Sequence, residues 1–197
     1  MASPVTIQPA TKDTRLDKSF PTTNYGTTAD LYVGNFIYKD FIIAFDCDAS
    51  VPAGATIVLA TMSLYARLVG AGRTINCYRL RRTDWVETEA TWNNYKTDTA
   101  WGTAGALNAT TDHDTTDGAS SDSLSSAGWQ DWTVTAQVQY ARDNVSGITH
   151  FFVVDLVPGS SAQQIYRSSD DAAAEQRPKL YIEYTVPSTF IPKCVFF

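Results

Sequence analysis

The stretch IVLATMSLYARLV, residues 57–69, decides the fold class of this chain. Its apolar side chains recur at every second position, which is the period of a β-strand that buries one face. The two faces are predicted to consist of Val58, Ala60, Met62, Leu64, Ala66 and Leu68 on the inside and of Thr61, Ser63, Tyr65 and Arg67 on the outside. We therefore predict a long, half-buried strand here.

The same alternation recurs on both sides of this stretch. It is clearest in residues 41–46, 148–156 and 179–186. Turn-forming residues separate these runs, as in Val51-Pro52-Ala53-Gly54 and Asn144-Val145-Ser146-Gly147. Many short strands joined by such turns are typical of an all-β fold, and we predict an antiparallel, jelly-roll-like β-sandwich.

The predicted layout of the chain has three features. One sandwich domain spans residues 1–187, with a short helix over 134–142 that Thr133 caps. Residues 96–128 show almost no alternation and predict a long irregular polar loop. Residues 188–197 form an apolar tail that is expected to pack either on its own domain or on another subunit or partner. The tail residues expected to make this contact are Phe190, Ile191, Val195, Phe196 and Phe197.

Composition argues against several classes of function. The chain has 197 residues, a formal net charge of −6 and 44% apolar residues, which fits a folded domain and disfavours nucleic acid as a partner. No apolar run reaches the ~20 residues of a membrane-spanning helix. Residues 1–5 lack the basic and apolar regions of a secretion signal. Cys47, Cys77 and Cys194 are widely spaced, so they are expected to be inert, buried thiols.

An ordered series of short motifs runs through the predicted strands and turns. In chain order the series consists of Asp13-Thr14-Arg15-Leu16-Asp17, Pro21 to Gly26, Leu31 to Gly34, Phe45-Asp46, Val51 to Ile57, Ala60 to Tyr65, Trp85 to Glu89, Thr91-Trp92-Asn93, Ala100-Trp101, Asp131 to Thr135, Ser168-Ser169-Asp170 and Pro178-Lys179-Leu180. In this order the motifs resemble the DNRLRE domain, which is related to the archaeal disaggregatase repeat and to family 96 carbohydrate-binding modules. The resemblance covers roughly residues 8 to 186.

The resemblance implies a β-sandwich with a non-catalytic role at cell envelopes, in polysaccharide-active enzymes or in phage structural proteins. Some members bind acidic polysaccharides such as alginate. We expect this chain to differ from the usual setting, as a stand-alone domain with an apolar tail and no export signal. These differences favour a structural or decoration protein of a virion or other extracellular assembly, which forms a homo-oligomer or joins other capsid or tail subunits. The alternative is a carbohydrate-binding module or adhesin for an acidic polysaccharide.

Basic and aromatic residues supply the candidate ligand site. Arg79 and Arg81 share a predicted strand face, and Arg67 is placed on the neighbouring strand. Such a row suits a sugar carboxylate, although pairing with the many aspartates is the alternative. Tyr95 and Trp101 lie in the polar loop region and are candidates for a contact surface. The other motif tryptophans, Trp85, Trp92 and Trp132, are predicted to be core residues.

Metal binding and catalysis receive less support from the sequence. Asp112, Asp114 and Asp117 offer three carboxylates in a flexible loop, which suits calcium, although a solvated polar loop gives the same pattern. No other cofactor is expected. His113 and His150 have no neighbouring nucleophile motif, so we predict that the chain is not an enzyme.

Overall fold

The computed structural model describes residues 3–34, 38–70, 72–157 and 162–187. Its elements are β1 Ser3–Ile7, β2 Lys12–Asp17, β3 Asp30–Gly34, β4 Lys39–Asp46, β5 Thr56–Leu68, β6 Thr74–Leu80, β7 Asn94–Lys96, β8 Thr99–Ala100, β9 His113–Asp122, β10 Gly128–Thr133, α1 Thr135–Asn144, β11 Ile148–Val154, β12 Gln163–Arg167, a 3₁₀ turn Ala174–Gln176 and β13 Lys179–Thr185. The predicted tail, residues 188–197, lies outside the described residues.

Two antiparallel sheets pack face to face. Sheet A has the strand order β1-β13-β5-β12-β3, with β10 paired to β5 as well. Sheet B has the order β2-β4-β11-β6-β9, and β7 and β8 form a small separate ribbon. The all-β sandwich with one short α-helix, predicted from the sequence, is therefore confirmed.

Strand β5 organises sheet A because it pairs along both of its edges. Met62 has Leu180 of β13 on one side and Trp132 of β10 on the other. The predicted alternation holds through the middle of the strand but is wrong at its ends. Val58 is the extra residue of a β-bulge opposite β13, so it is 52% exposed and Ile57 turns into the core instead.

A second irregularity turns Leu68 outward. The register between β5 and β12 shifts between Ile165 and Tyr166, and Leu68 is 47% exposed rather than buried as predicted. Between these two points, the inward residues of β5 join the core that fills the space between the sheets. The largest fully buried side chains of this core are Leu31, Phe41, Ile43, Phe45, Met62, Trp132, Phe151 and Tyr166. Each contributes roughly 1.5–3 kcal/mol by leaving water.

A second apolar cluster covers the outer face of sheet B. The connection between β6 and β9 folds over this face and supplies Trp85, Trp92 and Trp101, which pack against Phe152 and other strand residues. Trp85, Trp92 and Trp132 are all buried, so their predicted place in the core is confirmed. The sandwich is therefore asymmetric, because one sheet carries a thick apolar cover on its outer face.

The predicted irregular loop over 96–128 is only partly irregular. Its second half contains β9, a ten-residue strand that pairs with β6 and ends sheet B. The sequence hides this strand because its half-buried positions hold Asp117, Ala119 and Ser121 instead of large apolar residues. Polar, small side chains are common on edge strands, where they discourage pairing with another chain.

The helix predicted over 134–142 is present as α1, but its cap is not the predicted one. Thr133 is the last residue of β10, and Val134 occupies the N-cap position without a side-chain bond to the helix.

No helix in the described ranges is long and apolar enough to cross a membrane. Cys47 and Cys77 are buried free thiols, as predicted, whereas Cys194 lies outside the described residues.

Candidate binding surfaces

The outer face of sheet A carries a pair of aromatic rings at its centre. Tyr65 of β5 and Trp129 of β10 are register partners, and their ring centroids lie 5.5 Å apart with the planes at 87°. Both side chains are only partly buried. An edge-to-face pair fixes the two ring planes and leaves apolar ring surface in contact with solvent.

Cations flank this aromatic pair. Lys179 Nζ of β13 lies 3.9 Å from the centroid of the Trp129 ring, and Arg167 Cζ of β12 lies 5.8 Å from that of Tyr65. Cation–π contacts at exposed sites contribute about 0.5–1 kcal/mol each. Arg167 is also held by both carboxylate oxygens of Asp171, at 2.7 Å. Rings and charges are therefore interleaved and restrained.

The same pattern continues to the edge of the sandwich. Arg15 Cζ lies 3.7 Å from the ring centroid of Tyr25 and 4.2 Å from that of Tyr32, so its guanidinium is in contact with two aromatic faces. Tyr32 belongs to β3, the last strand of sheet A, and Arg15 to β2, the first strand of sheet B. We call the whole set the sheet A strip, which comprises Trp129, Lys179, Tyr65, Arg167, Tyr32, Arg15 and Tyr25.

Arg67 lies beside this strip and not in the predicted arginine row. It pairs with Asp30 through two guanidinium nitrogens, one of them at 2.5 Å. The prediction that Arg67 lies on the strand next to that of Arg79 is wrong, because β5 and β6 belong to different sheets. Consecutive strands of a sandwich frequently cross between sheets, and alternation alone does not reveal when they do.

Arg79 and Arg81 do lie together, near the end of sheet B. Both donate to the same oxygen of Asp114, Arg81 at 2.6 Å. The Thr116 backbone N–H, followed by the two guanidinium charges, lowers the pKa of Asp114 from its usual value. The predicted alternative, pairing with aspartate, is therefore realised, although one carboxylate serves two arginines.

The two predicted aromatic contact residues are buried. Tyr95 is 7% exposed and Trp101 is 5% exposed, and their rings pack against each other with centroids 5.4 Å apart. Trp101 Nε1 donates to the Thr91 carbonyl at 2.9 Å. Their ring faces are not available as an exposed contact surface, because the segment that carries them forms the apolar cover of sheet B.

The three aspartates proposed as calcium ligands serve separate partners. Asp112 is fully buried and accepts the backbone N–H groups of Gly102 and Thr103 at 2.8 and 2.9 Å. Asp114 binds the two arginines, and Asp117 contributes its backbone carbonyl to a bond from Gln137. In the part of the chain that the structure describes, no group of three or more His, Cys, Asp or Glu residues is placed to hold a metal ion. The expected shared site is not formed there, and calcium binding stays a prediction.

Trp129, Tyr65 and Lys179 were missed as a site, although the sequence contains a signal for them. Tyr65 belongs to the predicted outer face of residues 57–69, and alternation within residues 128–133 places Trp129 opposite the buried Trp132. The pairing of β10 and β13 with β5 brings the three side chains together, and local alternation does not predict this pairing.

The fold and this surface define a β-sandwich of the binding-module type, with one covered sheet and one open sheet that presents rings and cations. The chain belongs to carbohydrate-binding module family 96, whose family model matches residues 4–184. No curated protein matches the chain.

Proposed function

We propose that this chain is a non-catalytic module that binds a polysaccharide along the sheet A strip. The observation that supports this most directly is the partly exposed Tyr65–Trp129 ring pair on the open face of sheet A. The C–H face of a sugar ring is apolar and packs on aromatic side chains, while its hydroxyl groups bind neighbouring polar groups. Membership of a carbohydrate-binding family supports the same function.

The cations of the strip favour an acidic polysaccharide. Lys179 is held in place by its contact with the Trp129 ring, which leaves its N–H donors able to bind a carboxylate. Arg15 is held between two rings, but its Nε also lies 3.7 Å from Asp17 and its side chain is only 12% exposed. Arg167 and Arg67 are already paired with Asp171 and Asp30, so they contribute less net charge. Guanidinium and ammonium groups that bind sugar carboxylates add charge-assisted hydrogen bonds to the stacking.

Replacing the central ring tests this function. We expect Trp129→Ala to weaken binding to alginate, used as the probe polysaccharide, by about tenfold, by analogy with nucleobases, for which one aromatic stacking residue contributes about 1–3 kcal/mol. Affinity gel electrophoresis with alginate in the gel measures the change. Phe20→Ala is the matched control, since it removes an exposed aromatic ring that is not part of the strip.

Two results would contradict the proposal. One is retardation by alginate that is the same for Trp129→Ala and the unchanged protein. The other is no retardation of the unchanged protein by alginate or by a panel of other acidic polysaccharides. Release of reducing sugar by the unchanged protein would instead show that the module is catalytic.

The assembly role predicted from the sequence depends on different residues. A virion decoration protein, its subunit partners and its extracellular location were inferred from the tail at 188–197 and from the family resemblance, and the tail lies outside the described residues. This role stays a proposal beside carbohydrate binding. The two are compatible, because the sheet A strip consists of residues before 188.

A further inference from the structure

A cavity of about 250 Å³ opens where strands β6 and β11 separate. Their pairing ends at Phe151 and Arg79, and beyond this point the end of β6, the start of β11 and the last turns of α1 enclose the cavity. It does not overlap the sheet A strip, because the strands that line it belong to sheet B. We call it the fork cavity.

The charge of the fork cavity is unusual for this acidic protein. Among the described residues, its lining contains Arg79 and Arg81 and no aspartate or glutamate. The two guanidiniums share the single carboxylate of Asp114, so one positive charge is left over. Arg81 is 41% exposed along its side chain, which makes its remaining N–H donors accessible to a ligand.

Two buried polar atoms beside the cavity lack a hydrogen-bond partner among the described residues. They are Nε of Arg79 and Oγ1 of Thr149, and the Thr149 residue is only 1% exposed. Side chains alternate along a strand, so Thr149 lies on the same face as Phe151 and its partner Arg79, the face that α1 covers. A buried polar group without a partner costs about 1–3 kcal/mol, which a ligand that completes these bonds would recover.

The lining also contains the polar residues Thr83, Tyr140 and Asn144 and a neutral histidine, His150. His150 Nδ1 accepts a hydrogen bond from Trp85 Nε1 at 3.1 Å, so the proton of the neutral ring is on Nε2. Burial, with a smaller contribution from the Lys12 charge, lowers the pKa of His150 to about 3. The alternation that places Thr149 on the α1 side places the His150 ring on the opposite face, against Trp85, and the neutral ring adds no positive charge.

We propose that the fork cavity binds a small hydroxy acid with one carboxylate, no larger than a single sugar ring. The carboxylate accepts N–H bonds from Arg79 and Arg81, and a neighbouring hydroxyl pairs with Thr149. The size follows from the cavity, which is smaller than the roughly 300–1,000 Å³ of sites for drug-sized ligands. The choice of a sugar acid among hydroxy acids rests on the proposed function, whereas carboxylate and hydroxyl recognition rests on the cavity alone.

The ligand has two sources, a free sugar acid or the end of an acidic polysaccharide chain. D-Glucuronate and a tetrasaccharide of the same acid are the two probes, and D-glucose is the matched neutral control. Titration is followed by calorimetry and by the NMR signal of the Arg79 Nε–H group. We expect millimolar binding of glucuronate, no binding of glucose at equal concentration and a shift of the Arg79 signal. Equal affinity for the tetrasaccharide identifies the chain end, and preference for the monosaccharide identifies the free acid.

Two variants locate the site. Arg81→Gln is expected to weaken glucuronate binding by about tenfold or more, and Thr149→Val by about fivefold. Thr149→Val keeps the shape of the side chain and removes a hydroxyl without a partner, so it should not lower stability in urea denaturation. Lys18→Gln is the control, because it removes an exposed cation elsewhere.

The proposal is wrong if glucuronate does not bind, if glucose binds equally, or if both variants bind like the unchanged protein. Its failure is separable from that of the proposed function. Glucuronate binding without alginate retardation supports the fork cavity and contradicts the strip, and the reverse result contradicts the fork cavity alone.

Discussion

Asp13 on β2 is a carboxyl group held almost entirely out of water. Its Oδ2 accepts the Ser169 backbone N–H at 2.8 Å, and its own backbone N–H donates to Glu87 at 2.7 Å. Burial raises the pKa of Asp13 to about 7, the Ser169 bond opposes this rise, and the nearby charges of Glu87 and Asp170 add to it. The folded protein therefore keeps a proton on Asp13 at pH values where the unfolded chain has lost it.

Replacing this single carboxyl should change how stability depends on pH. A pKa raised from 3.8 to about 7 makes wild-type stability fall as the pH rises through this window, by roughly 4 kcal/mol in total. Asp13→Asn keeps an oxygen acceptor for Ser169 and removes the charge. Relative to wild type, the unfolding free energy of Asp13→Asn should therefore rise from pH 4 to pH 7.5, as measured by urea denaturation.

The control for this measurement is Asp98→Asn, which changes an exposed carboxylate. Its difference from wild type should stay flat over the same pH range. A flat difference for Asp13→Asn as well would show that the buried carboxyl does not hold its proton.

At the residue scale, the sequence predicts which way a side chain points better than what covers it. Alternation placed Tyr65 outward and Met62 inward correctly, but it failed at Val58, where a β-bulge adds one residue. Tyr95 and Trp101 were expected at a surface because their segment is polar and irregular. They are buried because that segment folds back over sheet B, which is a long-range contact with no local signal.

At the scale of elements, a buried glutamine ties helix α1 to two strands of sheet B. Gln137 Nε2 donates to the backbone carbonyls of Cys77 on β6, at 2.9 Å, and of Asp117 on β9, at 2.7 Å. Gln137→Met keeps the length of the side chain but leaves both carbonyls without this donor in a site closed to water. We expect a loss of about 2–4 kcal/mol in unfolding free energy, measured by urea denaturation.

An exposed glutamine provides the comparison. Gln8 also donates to a backbone carbonyl, that of Arg177 at 2.8 Å, but water replaces its bond when the side chain is changed. Gln8→Met should therefore stay within about 0.5 kcal/mol of wild type. Equal losses for the two variants would contradict the role assigned to burial.

The strands and the helix were predictable where apolar residues recur regularly along the sequence. Strands β4, β5, β11 and β13 and the position of α1 follow from local patterns. Strand β9 does not, because an edge strand with small polar side chains has no apolar face to detect. The cap of α1 was misplaced because Thr133 is needed as the last pairing residue of β10. Tertiary pairing took precedence over local capping preference.

At the scale of the whole molecule, overall charge and local charge have opposite signs. The chain carries a formal net charge of −6, while the sheet A strip contains Lys179 and two arginines, Arg167 and Arg15, that are paired with Asp171 and Asp17. A polyanion that approaches from a distance meets the field of the whole molecule, and only at close range does it meet the strip. The Debye length falls from about 30 Å at 0.01 M salt to about 8 Å at 0.15 M, so added salt screens the distant repulsion first.

This opposition predicts an unusual salt dependence for binding to an acidic polysaccharide. The association rate should rise severalfold between 0.01 M and 0.15 M salt, because the repulsion that slows the encounter is screened. The dissociation rate should rise as well, since salt weakens the contacts of the strip. Surface plasmon resonance on immobilised alginate separates the two rates, and a neutral polysaccharide of matched length is the control. An association rate that falls steadily with salt would mean that the strip, and not the net charge, governs the approach of the polymer.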